Sequence, residues 1–249
     1  MSGDGQLYMI RMAVLQPALM RLGREKGLPV RNVDLGYLVH CLLGEVFGDH
    51  APQPFDIRDT SGRTLELLAY GRRSGDQLRR HADTFADPER HAAVEWDRFH
   101  QKTMPGSWPE GLELAFEVRV CPVVRAANDT EHYSQGSEVD AFLTRCAEAD
   151  DGEDVAGREQ VYREWLTDQL RRRGGADLQR VRMEAFQLRK VTRRRHGQER
   201  SARVFTRPDA RMRGLLTVRA SERFPHLLAA GVGRHRAFGY GMLLLRPPG

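Results

Sequence analysis

Residues 112–121 alternate without a break: Leu112, Leu114, Phe116, Val118 and Val120 fall on one side of an extended chain, and Glu113, Ala115, Glu117, Arg119 and Cys121 on the other. A period of two marks a strand with one buried face, and Pro122, which cannot donate to a ladder, ends or bulges it. Just before this strand stands Pro105-Gly-Ser-Trp-Pro-Glu-Gly111, rich in residues that interrupt helices and strands alike. The chain is therefore expected to divide there, into residues 1–110 and 111–249.

Each part reads as the same series of elements. In the first, Leu7–Val14 reads as a strand, Gln16–Arg31 as a basic connection and Asp34–Phe47 as a helix. Phe55–Ile57 and Leu65–Tyr70 form a hairpin around Thr60-Ser-Gly62, Gly75–Ala86 a polar helix, and Val94–Met104 a closing strand. In the second, the opening strand precedes helical pieces at Ser137–Ala147 and Gln160–Arg173. Two or three strands follow at Val181–Val191, Ala202–Thr206 and Gly214–Arg219, then a short helix with Ser221 as its cap and a last apolar strand from Met242. Strand, helix, strand, strand, helix, strand, twice over, is the βαββαβ order of ferredoxin-like (RRM-like) units. The predicted fold class is α+β, with two such domains in tandem.

Charge is divided as unevenly as the elements are evenly repeated. From Arg171 to Arg246 there are 20 Arg and Lys against 5 Asp and Glu, a net of +15, so the total of +5 leaves −10 for the remainder. A basic second half points to a polyanion, with nucleic acid the commonest candidate. No apolar run approaches the roughly 20 residues of a membrane span. The start, Met1-Ser-Gly-Asp-Gly5, lacks the features of a signal peptide, and Cys41, Cys121 and Cys146 show no metal or disulfide spacing. A cytoplasmic protein without structural metal or cofactor is expected.

Two stretches carry chemistry. On the helix 34–47, Leu35, Leu38, Val39, Leu42, Leu43 and Val46 form one stripe, while Tyr37 and His40 lie at about 200° and about 140° from Leu35, on the opposite face and one turn apart. Near the C-terminus, Gly231-Val-Gly-Arg-His-Arg-Ala-Phe-Gly-Tyr-Gly241 follows a helix and precedes a strand, the reverse of a dinucleotide-binding glycine motif. Its bare amides at Gly231, Gly233, Gly239 and Gly241, with Arg234, Arg236, Phe238 and Tyr240, suit a sugar-phosphate chain; a helix stop leading into an edge strand is the plainer reading. A third stretch, Arg189-Lys190-Val-Thr-Arg193-Arg194-Arg195-His-Gly-Gln-Glu-Arg200, is a basic hairpin tip suited to the phosphates along an A-form stem.

In this combination the sequence resembles the CRISPR-associated repeat-RNA endoribonucleases, the CasE class of the type I-E Cascade system. Tyr37-Leu-Val-His40 with Leu43 looks like the family's first-helix motif, and Lys102-Thr-Met-Pro105 like its strand end. Phe116-Glu-Val-Arg119 with Pro122 and Arg125, Trp165-Leu166 with Leu170, and Gly231-Val-Gly233 through Arg236, Gly239-Tyr-Gly241, Leu243 and Pro247 follow its second part. The resemblance implies an enzyme that binds the hairpin of a CRISPR repeat transcript and cuts at the 3′ base of the stem without metal. It would then stay on the product within the surveillance complex, beside the subunit that coats the crRNA. His40 would transfer a proton and Tyr37, since an unperturbed tyrosine has a pKa of about 10 and is a poor base at neutral pH, would orient the sugar or phosphate. Lys102, Arg234 and Arg236 would supply charge or hold the strand. The alternative is a non-catalytic RNA-binding or scaffold subunit built from the same two units; the absence of an aromatic-rich RNP motif from the last strand weighs against it.

Overall fold

The computed structural model describes residues 5–28, 34–59, 62–129, 133–149, 156–194 and 202–248. The first part contains strands β1 (Tyr8–Leu15), β2 (Phe55–Asp59), β3 (Thr64–Gly71) and β4 (His100–Thr103), with helices α1 (Gln16–Glu25), α2 (Leu35–Phe47), α3 (Gly75–Phe85) and α4 (Pro88–His91). Its sheet runs β2-β3-β1-β4, every pair antiparallel. The second part contains β5 (Glu113–Val120), β6 (Val123–Arg125), β7 (Glu138–Asp140), α5 (Ala141–Glu148), α6 (Arg158–Arg173), β8 (Ala176–Arg194), β9 (Ala202–Val218), α7 (Phe224–Ala230) and β10 (Leu244–Arg246). Its main sheet runs β10-β5-β9-β8, again antiparallel throughout, while β6 and β7 pair apart. Both four-stranded sheets put their first and third strands in the centre and their fourth and second at the edges. That is the ferredoxin-like arrangement, present twice.

Burial follows the periods that define the elements. Ile10, Met12 and Val14 of β1 face Leu38, Leu42 and Val46 of α2 and Leu78 of α3. Phe116, Val118 and Val120 of β5 face Trp165, Leu166 and Leu170 of α6 and Phe224 of α7. The other face of the first sheet closes onto this second core. Tyr70 is buried in it, and its hydroxyl donates to the Leu243 carbonyl at 2.9 Å.

Charge also joins the two sheets. Asp56 and Glu117 are each 2% exposed. Arg58 donates to Asp56 at 2.8 Å and to Glu117 at 2.6 Å; Arg213 reaches Glu117 at 2.8 Å, and Arg211 bonds the same carboxylate. A carboxylate this deep is tolerable only because several guanidinium groups fill its lone pairs. Glu117, on the outward phase of the 112–121 alternation, is thus buried by the neighbouring sheet and not by its own.

Several sequence expectations are corrected. Residues 16–25 form helix α1, because Pro17 sits in the first turn, where its missing N–H costs nothing, and Ala18, Leu19 and Leu22 bury one face. Residues 94–104 are not one strand: Val94 makes a single bridge to Val14, Trp96–Arg98 turn as a 3-10 helix, and β4 begins at His100. Residues 138–140 are strand before α5 begins at Ala141. The expected strands at 202–206 and 214–219 belong to one long strand, β9, which ends at Val218. Pro208 is accepted there because β9 pairs with β5 only up to Ala210, leaving its outer stretch paired with β8 alone. Ser221 does not cap α7, which starts at Phe224 with a proline in its first turn. The expected turn residues Thr60 and Ser61 and most of the acidic loop 148–154 lie outside the described residues. Among the described residues, no helix is long and apolar enough to cross a membrane.

Candidate functional site

Helix α2 begins as its sequence dictates, with the Asp34 carboxylate accepting the Tyr37 backbone N–H at 3.2 Å. Its apolar stripe is buried, which turns His40 outward and leaves Tyr37 half-buried. The face carrying them is not open, however. The terminal glycine loop, from the other half of the chain, lies on it: the Phe238 ring stacks on Tyr37 with centroids 6.0 Å apart and meets His40 edge-on at 4.9 Å. Tyr37 and His40 are themselves 6.3 Å apart.

Gly36 makes this approach possible. A Cβ there would overlap the Phe238 carbonyl oxygen, so the bare backbone beside Tyr37 admits the loop. Partial burial of the His40 ring lowers its pKa below the usual 6.5. Near neutral pH the imidazole is therefore mainly uncharged, with one nitrogen able to accept a proton; a bound phosphate would push the pKa back up. One turn beyond, Glu45 feels burial pushing its pKa up, but bonds from Lys26 and Arg90 outweigh this and hold it ionised.

The loop is held from below. His235 adopts φ 61°, unusual for a residue with a side chain, and its Nε2 lies 3.0 Å from Glu138 of β7. Arg234 donates to the other oxygen of Glu138 at 2.9 Å, and Arg207 donates to the Glu138 backbone carbonyl at 2.8 Å. Arg236 donates to the Ala230 carbonyl, and burial, then the like charge of Arg173, lowers its pKa. Arg119 bridges β5 to the loop, bonded to Asp209 at 2.7 Å and lying 4.4 Å over the Tyr240 ring, which is buried.

Gly231, Gly233, Gly239 and Gly241 all hold positive φ, between 65° and 84°, and the protein itself occupies the space beside them. At Gly233 a Cβ would lie 2.7 Å from the Trp165 ring. These glycines let the loop fold back on its own chain; the cations they carry face the cleft beside it. That cleft, of about 1050 Å3, is bounded by Arg234, Arg236 and Phe238, by Arg172 and Arg173 at the end of α6, and by Arg125 of β6.

Lys102 is not brought to this site. It pairs with Met9, whose side chain packs on the second core, so it projects from the sheet face opposite α2. Arg189 lies 2.7 Å from Asp209, and Lys190 is exposed farther along the hairpin. Arg193 and Arg194 end β8 opposite Arg203 and Ala202, while Arg195 lies outside the described residues. Sequence reasoning missed Glu138, since a single acid beside a serine gives no signal of an anchor. It also left Arg172 and Arg173 as ordinary last-turn residues of a helix.

A family model described as CRISPR associated protein matches residues 7–247. No curated protein matches the sequence. Among solved structures, the fold is similar to CRISPR endoribonuclease Cse3 bound to a 19-nucleotide RNA, at 19% identity over 98% of this chain and 100% of that one, with a TM-score of 0.62. It is similar to Thermus thermophilus Cse3 bound to an RNA representing a pre-cleavage complex, at 18% identity, 97% and 100% coverage and a TM-score of 0.59. A chain of a CRISPR RNA-guided surveillance complex in a pre-nicking state matches at 16% identity, 96% and 100% coverage and a TM-score of 0.59. At these identities the likeness is one of fold.

Proposed function

We propose that this chain, which belongs to the CRISPR-associated protein family, is a metal-independent endoribonuclease that binds the repeat hairpin and cuts at the 3′ base of its stem. The observation that carries this reading is the meeting of Tyr37 and His40, from the first half, with the cation-bearing glycine loop of the second. RNA cleavage without metal needs the 2′-oxygen in line with the adjacent phosphorus. It also needs a group to move protons and positive charge near the crowded phosphorane. The 2′-hydroxyl loses its proton as its oxygen bonds phosphorus, the P–O5′ bond breaks, and the leaving 5′-oxygen gains a proton. His40 is the proton-transfer group, Tyr37 orients the sugar or phosphate, and Arg236 with Arg173 supplies charge beside them.

The product hairpin stays on the enzyme, held by the basic β8–β9 hairpin. The chain thereby becomes a subunit of a crRNA-guided surveillance complex, in contact with the subunit that coats the crRNA. A chain in such a complex shares this fold.

Incubating a repeat transcript with the protein and EDTA tests the reading. The expected result is one cut and a 2′,3′-cyclic phosphate end; dependence on magnesium would overturn it. The substitution His40→Ala should slow cutting by about 100-fold or more while leaving hairpin binding nearly intact, because the proton-transfer group is separate from most phosphate contacts.

A further inference from the structure

The cleft beside the glycine loop continues. Gln53 and Ala229 line it and also line a second cleft, of about 830 Å3, which runs to the β3–α3 turn and the first turns of α3. Arg72 and Arg73 of that turn and Arg80 of α3 border the second cleft. Together the two clefts form one groove from Phe238, against His40, to the far end of the first sheet.

The arginines along this groove differ from most others in the molecule. Arg58, Arg119, Arg158, Arg211 and Arg213 are each bonded to a buried carboxylate. By contrast, Arg73, Arg80, Arg125, Arg172 and Arg173 are exposed and make no ion pair among the described residues. Three carboxylates also line the groove. Glu138 is committed to Arg234 and His235; Asp49 and Asp76, in the second cleft, are outnumbered by its three arginines. Arg173 and Arg236 stand close enough for like-charge repulsion to be felt, an arrangement that a shared anion relieves.

We infer that this groove holds the single-stranded RNA leading away from the scissile phosphate, its backbone passing from Arg236 and Arg173 across Gln53 to Arg73 and Arg80. The inference rests on the endoribonuclease reading and extends it, because the stem is assigned to the β8–β9 hairpin on other residues. Unpaired guanidinium groups spaced along a slot, with few exposed aromatic rings among them, suit a backbone tracked without regard to base sequence.

The test uses three RNAs carrying a 2′-deoxyribose at the cleavage position: the hairpin alone, the hairpin with a single-stranded 3′ extension, and the hairpin with a 5′ extension. Their affinities are measured across a salt series for the wild type and for Arg73→Ala/Arg80→Ala. One extended RNA is expected to bind the wild type more tightly than the hairpin does. In the variant it should lose about fivefold or more, with the salt slope reduced by about 1.4 for two lost phosphate contacts, while the hairpin alone is unaffected. Which extension responds identifies the strand in the groove. Equal loss on all three RNAs, or no loss on either extension, would overturn the inference; the second result would leave the groove to an acidic protein segment. Failure of the wild type to bind any repeat hairpin would overturn the endoribonuclease reading beneath it.

Discussion

Beside the apolar contact that buries Tyr70 in the second core, the two halves of the chain meet along two seams of opposite character. One is built of charge: Asp56 and Arg58 of β2 against Glu117, Arg211 and Arg213 of β5 and β9. The other is built of rings and bare backbone: Gly36, Tyr37 and His40 of α2 against Phe238 of the glycine loop. Breaking a buried ion network leaves an unpaired charge in low dielectric, so the first seam cannot shift by small steps. The second consists of van der Waals contacts, each weak, and can be re-aimed by one methyl group. On the endoribonuclease reading we propose a division of labour, in which the charged seam helps fix how the halves sit and the aromatic seam arranges the groups that act on the RNA.

Removing the charged seam should have the largest effect. Burial would raise the Glu117 pKa, but bonds from Arg58, then Arg213 and Arg211, overcome it and bring the carboxyl down to about 2. A carboxylate depressed in the folded state contributes stability that is present above its unfolded pKa, near 4.5, and is lost as pH falls through about 2. Glu117→Gln is expected to cost about 3 kcal/mol in a urea melt at neutral pH and to flatten the acid dependence between those values. Cleavage by the fraction that remains folded should be unchanged. A variant as stable as the wild type, or one that stays folded but has lost cutting, would erase the distinction between the seams.

The aromatic seam is expected to respond in the reverse sense. Gly36→Ala, in the first turn of α2, adds a methyl where the Phe238 carbonyl lies, so the loop backbone there must move. Stability should fall by about 1 kcal/mol, less than in Glu117→Gln, while cutting falls by about 100-fold because the loop is pushed off Tyr37 and His40. A thermal melt and a single-turnover cleavage assay on the same preparation separate these effects. Unchanged cutting would mean that the loop plays no part in arranging the pair.

Much of this was legible in the sequence, and the unevenness has physical causes. The two ferredoxin-like units could be read because strand and helix periods are local, as in Leu114–Val120 or Leu38–Val46. The outward turn of His40 followed from the same wheel that buries Leu42. What could not be read is what covers a face from a distance. Glu117 lies on the solvent phase of its own strand and is buried by another sheet, and nothing local to Gly36 shows that Phe238, about 200 residues away, lies on it. Nor does local sequence show that the glycines of the terminal loop are needed for its own packing, or that Lys102, expected among the site's charges, projects from the far face of its sheet.

A smaller effect is expected at the loop's anchor. Glu138→Gln keeps a hydrogen-bonding group but loses the charge that holds Arg234 and His235, a contribution of about 1.5 kcal/mol for a charged hydrogen bond. Cutting should fall about tenfold as the loop samples other positions, while RNA affinity does not fall, because Arg234 is released toward the cleft. A parallel loss of affinity and cutting would assign Glu138 to binding instead.

The smallest change reads the aromatic seam directly. Phe238 covers one edge of the His40 ring, and burial is the cause that lowers the His40 pKa. Phe238→Ala removes that cover without adding a charge, so the His40 pKa should move upward, toward the 6.5 of a solvated imidazole, when followed by NMR in the free protein. The activity profile carries the same information with a sign. If His40 accepts the 2′-hydroxyl proton, kcat/KM falls as pH drops through the free-enzyme pKa, and the variant's acid limb lies at higher pH than that of the wild type. If His40 donates to the 5′-oxygen, kcat/KM falls as pH rises through the same pKa, and the variant's limb again lies higher. Either profile would assign proton transfer to His40 and tie the seam to it. A pKa unmoved by loss of the ring would show that Phe238 touches His40 without tuning it, leaving positioning through Gly36 as the seam's contribution.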